Sequence, residues 1–261
     1  MEFNFEDIIY VKRDSVAKIT INRPQVYNAF RTQTMKEIAQ ALSDAELDSG
    51  VGVVVITGAG DKAFCTGGDT NEAAQPGGYS KGMVHWVGAV HRTIRDIPKP
   101  VIAAVNGYAI GGGNVLQLVC DLTIASDNAR FGQTGPRVGS YDAGLGASYL
   151  ARVVGEKKAR EIWFLCRQYT AQEALEMGLV NKVVPQDKLE EEVDKWCQEI
   201  LSLSPTALKV CKVAFNAETA HMLGFEGWHH ATIRDFWASE EAKEAKTAFK
   251  EKRKPDFSKF R

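Results

Sequence analysis

Three glycine-rich stretches of this chain place polar side chains and bare backbone where chemistry could occur. FGQTGPRVGSYDAGLG, residues 131–146, holds five glycines, with Ser140 and Asp142 two positions apart and Tyr141 between them. Glycines at that density mark sharp turns or close backbone approach. Ser140 and Asp142 could serve one site or could be ordinary turn chemistry, and nothing in the stretch itself decides. AFCTGGDT (63–70) and NGYAIGGGNVL (106–116) each follow an apolar run. Both offer backbone N–H groups at helix starts, at the carboxyl ends of strands in one sheet, and two such donors converging can hold an oxyanion. The competing reading is that the glycines serve only tight strand-to-helix packing. No dinucleotide fingerprint, phosphate-loop lysine motif or nucleophile elbow accompanies them.

The elements that must position these stretches are legible from periodicity. SVAKITINR alternates as a half-buried strand, VGVVVITG is a continuous β-branched run, and RTQTMKEIAQALSDAELD between them has helical spacing through Met35, Ile38, Leu42 and Ala45. KGMVHWVGAVHRTIRDI reads as an amphipathic helix, VIAAVNGYAI as a buried strand, GGGNVLQLVCD as a helix entered through glycines and LTIASDNARFG as a further strand. Alternating strands and helices predict an α/β fold wound with right-handed crossovers. From about residue 144 the pattern turns mostly helical. The tail SEEAKEAKTAFKEKRKPDFSKF reads as a charged helix with a basic end, most simply a solvated face.

Composition excludes several classes of function. The 261 residues are 44% hydrophobic and 25% charged, with a formal charge of -1, so no electrostatic footprint for nucleic acid or an anionic membrane exists. No apolar run approaches the roughly 20 residues that cross a bilayer. The acidic N-terminus, MEFNFEDIIY, lacks the basic-then-apolar order of a signal peptide, and a cytoplasmic location is expected. The five cysteines form no CxxC pair and read as reduced core thiols. The histidines show no ligand spacing, so no metal is expected; His229 and His230, being adjacent, point to different sides of a helix. His85, His91 and His221 read as surface or helix-packing residues. Asp69 reads first as a helix cap, Gln133 as a turn partner, Trp163 as a packing residue and Tyr141 as a pocket wall or loop cap.

In order, spacing and residue type, ITINRPQVYNAF, AFCTGGDT, KPVIAAVNGYAIGGGNVLQLVCDLTIAS, ARFGQTGPRVG and the helical C-terminal third together resemble the crotonase (enoyl-CoA hydratase/isomerase) superfamily across nearly the whole chain. The resemblance implies a spiral of ββα units over residues 1–200 and a helical trimerisation and CoA-covering region over 201–261. It implies an acyl-CoA thioester substrate, with the thioester oxygen held by the N–H groups of Gly68 and Gly112. Thr66, Gly67, Asp69, Thr70, Tyr79, Tyr108, Gly111, Thr134, Phe249 and Lys252 would contact substrate or CoA. Phe249 and Lys252 would do so across a homotrimer or dimer of trimers. CoA enters as part of the substrate, and no covalently bound cofactor is expected.

Hydratases of this family use two glutamates, whose positions here fall on Val115 and Gly135. The resemblance therefore turns to the branch that makes or breaks a carbon–carbon bond beside the thioester. It implies hydrolytic ring opening like that of 2-ketocyclohexanecarboxyl-CoA hydrolase, with Asp142 and Ser140 catalytic. The alternative is the Dieckmann-type ring closure of 1,4-dihydroxy-2-naphthoyl-CoA synthase. Some members of that second group hold a bicarbonate at positions matching Gln133, Gly135 and Trp163. The synthase tyrosine falls on Phe236, which cannot donate a proton, and FCTGGD and FNAETAH look closer to the ring-opening enzyme. A third reading, a non-catalytic binding scaffold, would not need Ser140, Asp142 and both oxyanion glycines together. An ordinary aspartate, titrating near about 3.9, is a weak base at pH 7, so Asp142 would need help from its surroundings.

Overall fold

The computed structural model describes residues 3–73 and 81–261. Ten strands among them build two sheets. The larger contains β1 (Ile8–Arg13), β2 (Val16–Ile21), β3 (Val53–Gly58), β5 (Val101–Val105), β7 (Leu122–Ser126) and β10 (Lys182–Val184), side by side in that order. It is parallel from β2 onward, with β1 as an antiparallel edge. The smaller contains β4 (Ala63–Cys65), β6 (Tyr108–Ile110), β8 (Arg130–Gly132) and β9 (Gln168–Thr170), with β9 antiparallel. Successive strands alternate between the sheets, β3 then β4, β5 then β6, β7 then β8. Each pair leads into helix, which is a spiral of ββα turns.

The helices are α1 (Thr32–Leu47), α2 (Thr70–Ala73), α3 (Lys81–Asp96), α4 (Gly112–Leu118), α5 (Gly135–Val138), α6 (Leu145–Val154), α7 (Glu156–Leu165), α8 (Ala171–Glu176), α9 (Leu189–Leu201), α10 (Pro205–Thr219), α11 (Leu223–Ala238) and α12 (Glu240–Lys250). Every residue of β3 and of β5 is buried, because helices cover both faces of the larger sheet. Val54 and Ile56 point into a core shared with Met35, Ile38 and Leu42 of α1 and Val90 and Ile94 of α3. Val53 and Val55, on the other face, meet Leu189, Val193 and Cys197 of α9. The continuous β-branched run is the signature of that double burial.

Three sequence expectations need correction. VIAAVNGYAI and LTIASDNARFG are not single strands: each turns a corner and divides between the sheets. At the first corner Asn106 Nδ2 donates to the carbonyls of Gly58 (2.7 Å) and Gly60 (2.6 Å), satisfying backbone that a continuing ladder would have used. The tail helix ends at Lys250, where the Arg253 N–H closes on the Ala248 carbonyl (3.0 Å) ahead of Pro255. Among the cysteines Cys65, Cys120, Cys166 and Cys197 are buried thiols, but Cys211 is exposed. Burial pushes Cys65 and Cys197 up to about 12, so neither is a thiolate at neutral pH. No described helix is long and apolar enough to cross a membrane. The C-terminal helices fold back on the same chain, α11 against α3 and α6, and α12 against α5.

Candidate active site

Both glycine turns leave the carboxyl ends of β4 and β6, neighbours in the smaller sheet. After β4, Phe30 and Gly68 form an isolated parallel bridge in which the Phe30 N–H donates to the Gly67 carbonyl and the Asp69 N–H to the Phe30 carbonyl, both at 2.8 Å. That pattern leaves the Gly68 N–H outside the pairing. Gly112 is the first residue of α4, so its N–H has no acceptor one turn back. The turns touch: Gly67 has φ +87, and a Cβ there would lie 3.0 Å from the Gly112 nitrogen, while one on Gly113 would run into the Cys65 carbonyl. Only glycine allows this approach. Gly68 and Gly112 are both partly exposed.

Ion pairs fix the first turn. Arg23 Nη2 lies 2.8 Å from Asp69 Oδ2, and its Nε 3.6 Å from Asp7 Oδ1, all three side chains being largely buried. Asp69 Oδ1 accepts the Asn71 N–H at 2.8 Å. Each Asp69 oxygen thus has a partner within the protein, which supports the capping reading. Thr66 Oγ1 donates to the Tyr27 carbonyl at 3.2 Å. Tyr27 and Tyr108 meet edge to face at 6.4 Å, both largely exposed beside the turns. Thr70 is exposed, and Tyr79 lies outside the described residues.

The third stretch joins this pair through β8. The Gly111 N–H donates to the Gly132 carbonyl at 2.9 Å, and a Cβ on Gly111 would sit 3.6 Å from Thr134 Oγ1. The chain then turns through α5 to Ser140, whose N–H donates to the Gly135 carbonyl at 2.9 Å. Ser140 Oγ receives the Trp237 indole N–H at 3.3 Å, and the Tyr141 hydroxyl donates to Thr232 Oγ1 at 2.8 Å. Asp142 Oδ1 accepts the Gly144 N–H at 2.8 Å just ahead of α6. Asp142 also lines a largely apolar cavity of about 490 Å³, with Tyr141, Ala147, Ala151, Trp163 and Phe225 among its walls. Gly68 and Gly112 are not among those walls.

Gly135 has no room for a side chain. A Cβ there would lie 2.7 Å from the Ser140 carbonyl oxygen and 3.1 Å from Trp163 Cζ3. Val115 is buried in α4 and cannot carry a proton. Gln133 is 1% exposed, and its Nε2 has no hydrogen-bond partner among the described residues, so its amide fits an anion. Trp163 does not fit: its indole N–H already donates to the Gly146 carbonyl at 2.8 Å. Of the three residues expected to hold bicarbonate, Gln133 keeps an unpartnered side-chain donor among the described residues, Gly135 offers only backbone, and Trp163 has its indole N–H engaged.

A further group of residues lies under Asp142. His91 is 4% exposed, not a surface residue, and its Nδ1 lies 3.3 Å from Oε1 of buried Glu226. His229 packs edgewise on Tyr141 at 5.4 Å, and the His230 ring abuts Gly88 of α3. Both histidines of α11 therefore face protein. Burial lowers the proton affinity of His229, against the opposing pull of Asp142 and Glu226, which leaves a neutral imidazole at pH 7. Burial would raise the Glu226 carboxyl, but the His91 hydrogen bond and the charges of His91, His230 and Arg92 hold it below the ordinary value. Sequence reading missed this cluster, although Glu226, His229 and His230 stand at i, i+3 and i+4 on one helix. His85 and His221 are exposed as expected. Phe249 and Lys252 are exposed at the end of α12, away from any described wall of the cavity.

A sequence family described as Enoyl-CoA hydratase/isomerase matches residues 11–260. Among solved structures, an enoyl-CoA hydratase from Mycobacterium avium subsp. paratuberculosis K-10 superposes with a TM-score of 0.87 at 32% identity, covering 97% of this chain and 99% of that one. An enoyl-CoA hydratase/isomerase from Xanthobacter autotrophicus Py2 gives 0.84 at 32% identity, over 95% and 94% of the two chains. Another from Pseudoalteromonas atlantica T6c gives 0.84 at 30%, over 97% and 100%. The chain belongs to the enoyl-CoA hydratase/isomerase family, the crotonase superfamily, and is an acyl-CoA enzyme of that class.

Proposed function

We propose that the chain opens the ring of a cyclic β-ketoacyl-CoA by hydrolysis, as 2-ketocyclohexanecarboxyl-CoA hydrolase does in giving pimeloyl-CoA. The observation that carries this reading is the closed space at Gly135, where a side chain would collide with Ser140 and Trp163, next to an Asp142 that faces an apolar cavity. Several neighbours are named hydratases, but the two positions expected to carry their glutamates hold Gly135, where Ser140 or Trp163 would have to shift to admit a side chain, and apolar Val115, so alkene hydration lacks both of its carboxylates. Asp142 takes a proton from water as the water oxygen bonds to the ring ketone carbon. Ser140 orients the ketone oxygen. The bond from that carbon to the α-carbon then breaks, and its electron pair forms the thioester enolate. The enolate oxygen accepts the N–H groups of Gly68 and Gly112, a contact typically worth about 3 to 4 kcal/mol per donor at the transition state. The proton returns to the α-carbon, and the former ketone carbon, still joined through the rest of the opened ring, becomes a terminal carboxylic acid.

The orphaned Gln133 amide favours a second reading, ring closure of o-succinylbenzoyl-CoA with an anion as base. Against it, Trp163 has no donor left and Phe236, packed on Tyr141 at 5.2 Å, has no proton to give. Bicarbonate would find the Gln133 side chain but not the Trp163 indole N–H, and no step requires it. Assembly into trimers or hexamers, with Phe249 and Lys252 covering a neighbour's CoA, is part of the proposal and is supported by the exposed apolar residues Val210, Val213 and Phe215 on α10. Incubation with each thioester, with products read by mass, separates the readings. Pimeloyl-CoA from the first supports ring opening, while a naphthoyl product from the second with no reaction of the first refutes it.

A further inference from the structure

The loop that carries Ser140 is gripped by the last turns of α11 and the start of α12. A Cβ on Gly139, where φ is +74, would lie 2.6 Å from the Ala242 carbonyl oxygen, so α12 packs directly on the backbone ahead of Ser140. Behind it, Tyr141 is held three ways by α11: its hydroxyl donates to Thr232 Oγ1 at 2.8 Å, and its ring meets those of His229 at 5.4 Å and Phe236 at 5.2 Å. Trp237 reaches the side chain between these two anchors. Its indole N–H donates to Ser140 Oγ at 3.3 Å, and its own carbonyl accepts from Lys246 Nζ of α12 at 3.2 Å. The ring-opening step, as described, uses Ser140 but gives Trp237 no part.

An indole nitrogen can only donate, whereas a serine hydroxyl has one proton and two acceptor positions. With the indole N–H on one of those positions, the Ser140 hydroxyl must turn its proton elsewhere, and among the described residues no acceptor takes it. We propose that Trp237 is a positioning residue that fixes the polarity of Ser140, holding it as a hydrogen-bond donor toward the ring ketone oxygen. This role deepens the ring-opening reading and rests on it. The ketone oxygen accepts a hydrogen bond before water adds and carries negative charge afterwards, so a donor serves it at both stages. A donor contact to Oγ also polarises the hydroxyl and strengthens the bond that it gives. The effect is larger for the charged oxygen than for the neutral ketone, and therefore falls on kcat more than on KM. Neither Trp237 nor Ser140 gives up a proton over the cycle; Asp142 alone carries it.

Two measurements test this. The first needs no substrate: the Trp237 indole N–H resonance, assigned by its loss in Trp237→Phe, is followed by NMR in the intact protein and in Ser140→Ala. It should shift when its acceptor is removed, and a resonance that stays in place overturns the contact and the proposal with it. The second follows ring opening in Trp237→Phe and in the protein carrying the benzothiophene isostere of tryptophan at position 237, which keeps the ring's shape and lacks the N–H. Both should lower kcat by about 3- to 10-fold at unchanged KM, the worth of one neutral hydrogen bond, and the isostere should leave thermal melting unchanged. In a Ser140→Ala background the same replacement should change nothing further, because Trp237 acts through Ser140. Full kcat with the isostere, or an equal loss in the Ser140→Ala background, overturns the proposal while leaving ring opening intact. If the resonance shifts but no cyclic thioester is opened, the ring-opening reading has failed and the ketone-directing role fails with it.

Discussion

Asp142 uses one oxygen to accept the Gly144 N–H and lines the cavity, so Asp142→Asn keeps the turn while removing the charge. Turnover should fall by about 10²- to 10⁴-fold, the usual worth of a general acid–base group, with CoA binding and thermal unfolding unchanged; an active variant would remove Asp142 from the mechanism. Gly135→Glu tests the same point from the other side. Its side chain must displace Ser140 or Trp163, at a cost of about 1 to 3 kcal/mol. The variant should melt lower and gain no hydration of an enoyl-CoA, and a stable, hydrating variant would show that the loop can carry the missing glutamate. Ser140 and Asp142 could be picked out from sequence because glycines isolate them in one stretch. His91, Glu226 and His229 could not, because whether a polar residue on an amphipathic helix is buried depends on which other elements arrive beside it.

At the scale of elements, the turn that carries the proposed oxyanion donor Gly68 is tied by a cation from a distant segment. Arg23→Met would leave Asp69 buried without its partner, which typically costs about 3 to 5 kcal/mol. It would also free the Gly67–Gly68 turn. Melting temperature and kcat should fall together, and a variant with lower stability but full kcat would show that the turn is held by the Phe30 bridge alone. The strands and helices of the first half are visible in the sequence as runs and 3.6-residue spacing, and both glycine turns do end strands of one sheet. Periodicity could not reveal that VIAAVNGYAI serves two sheets. The corner is made by Asn106 hydrogen-bonding to residues about 48 positions away, and such a pairing leaves no local pattern.

Over the whole molecule, the N-terminal segment closes the core through Asp7, which accepts from Arg31 Nε (2.7 Å) and Thr34 Oγ1 (2.6 Å). Burial would raise its carboxyl, and those hydrogen bonds with the charges of Arg31 and Arg23 outweigh burial and hold it below its ordinary 3.8. A folded-state value below the unfolded one gives stability that is complete above 3.8 and lost as pH falls through the lower folded value. Asp7→Asn should therefore lower stability at neutral pH and flatten its decline in acid, as followed by urea unfolding across pH; an equally steep acid limb would assign it to other carboxylates. The family is legible along nearly the entire chain because its motifs sit where backbone must approach backbone. The reaction is less so, because it turns on an absent side chain at position 135 and on the volume around it. The most direct test of the ring-opening assignment is to run 2-ketocyclohexanecarboxyl-CoA with the enzyme in heavy-oxygen water and sequence the product's fragments by mass. Ring opening places the heavy oxygen in a new terminal carboxylate of a linear thioester, whereas recovery of an intact ring, labelled or not, would contradict it.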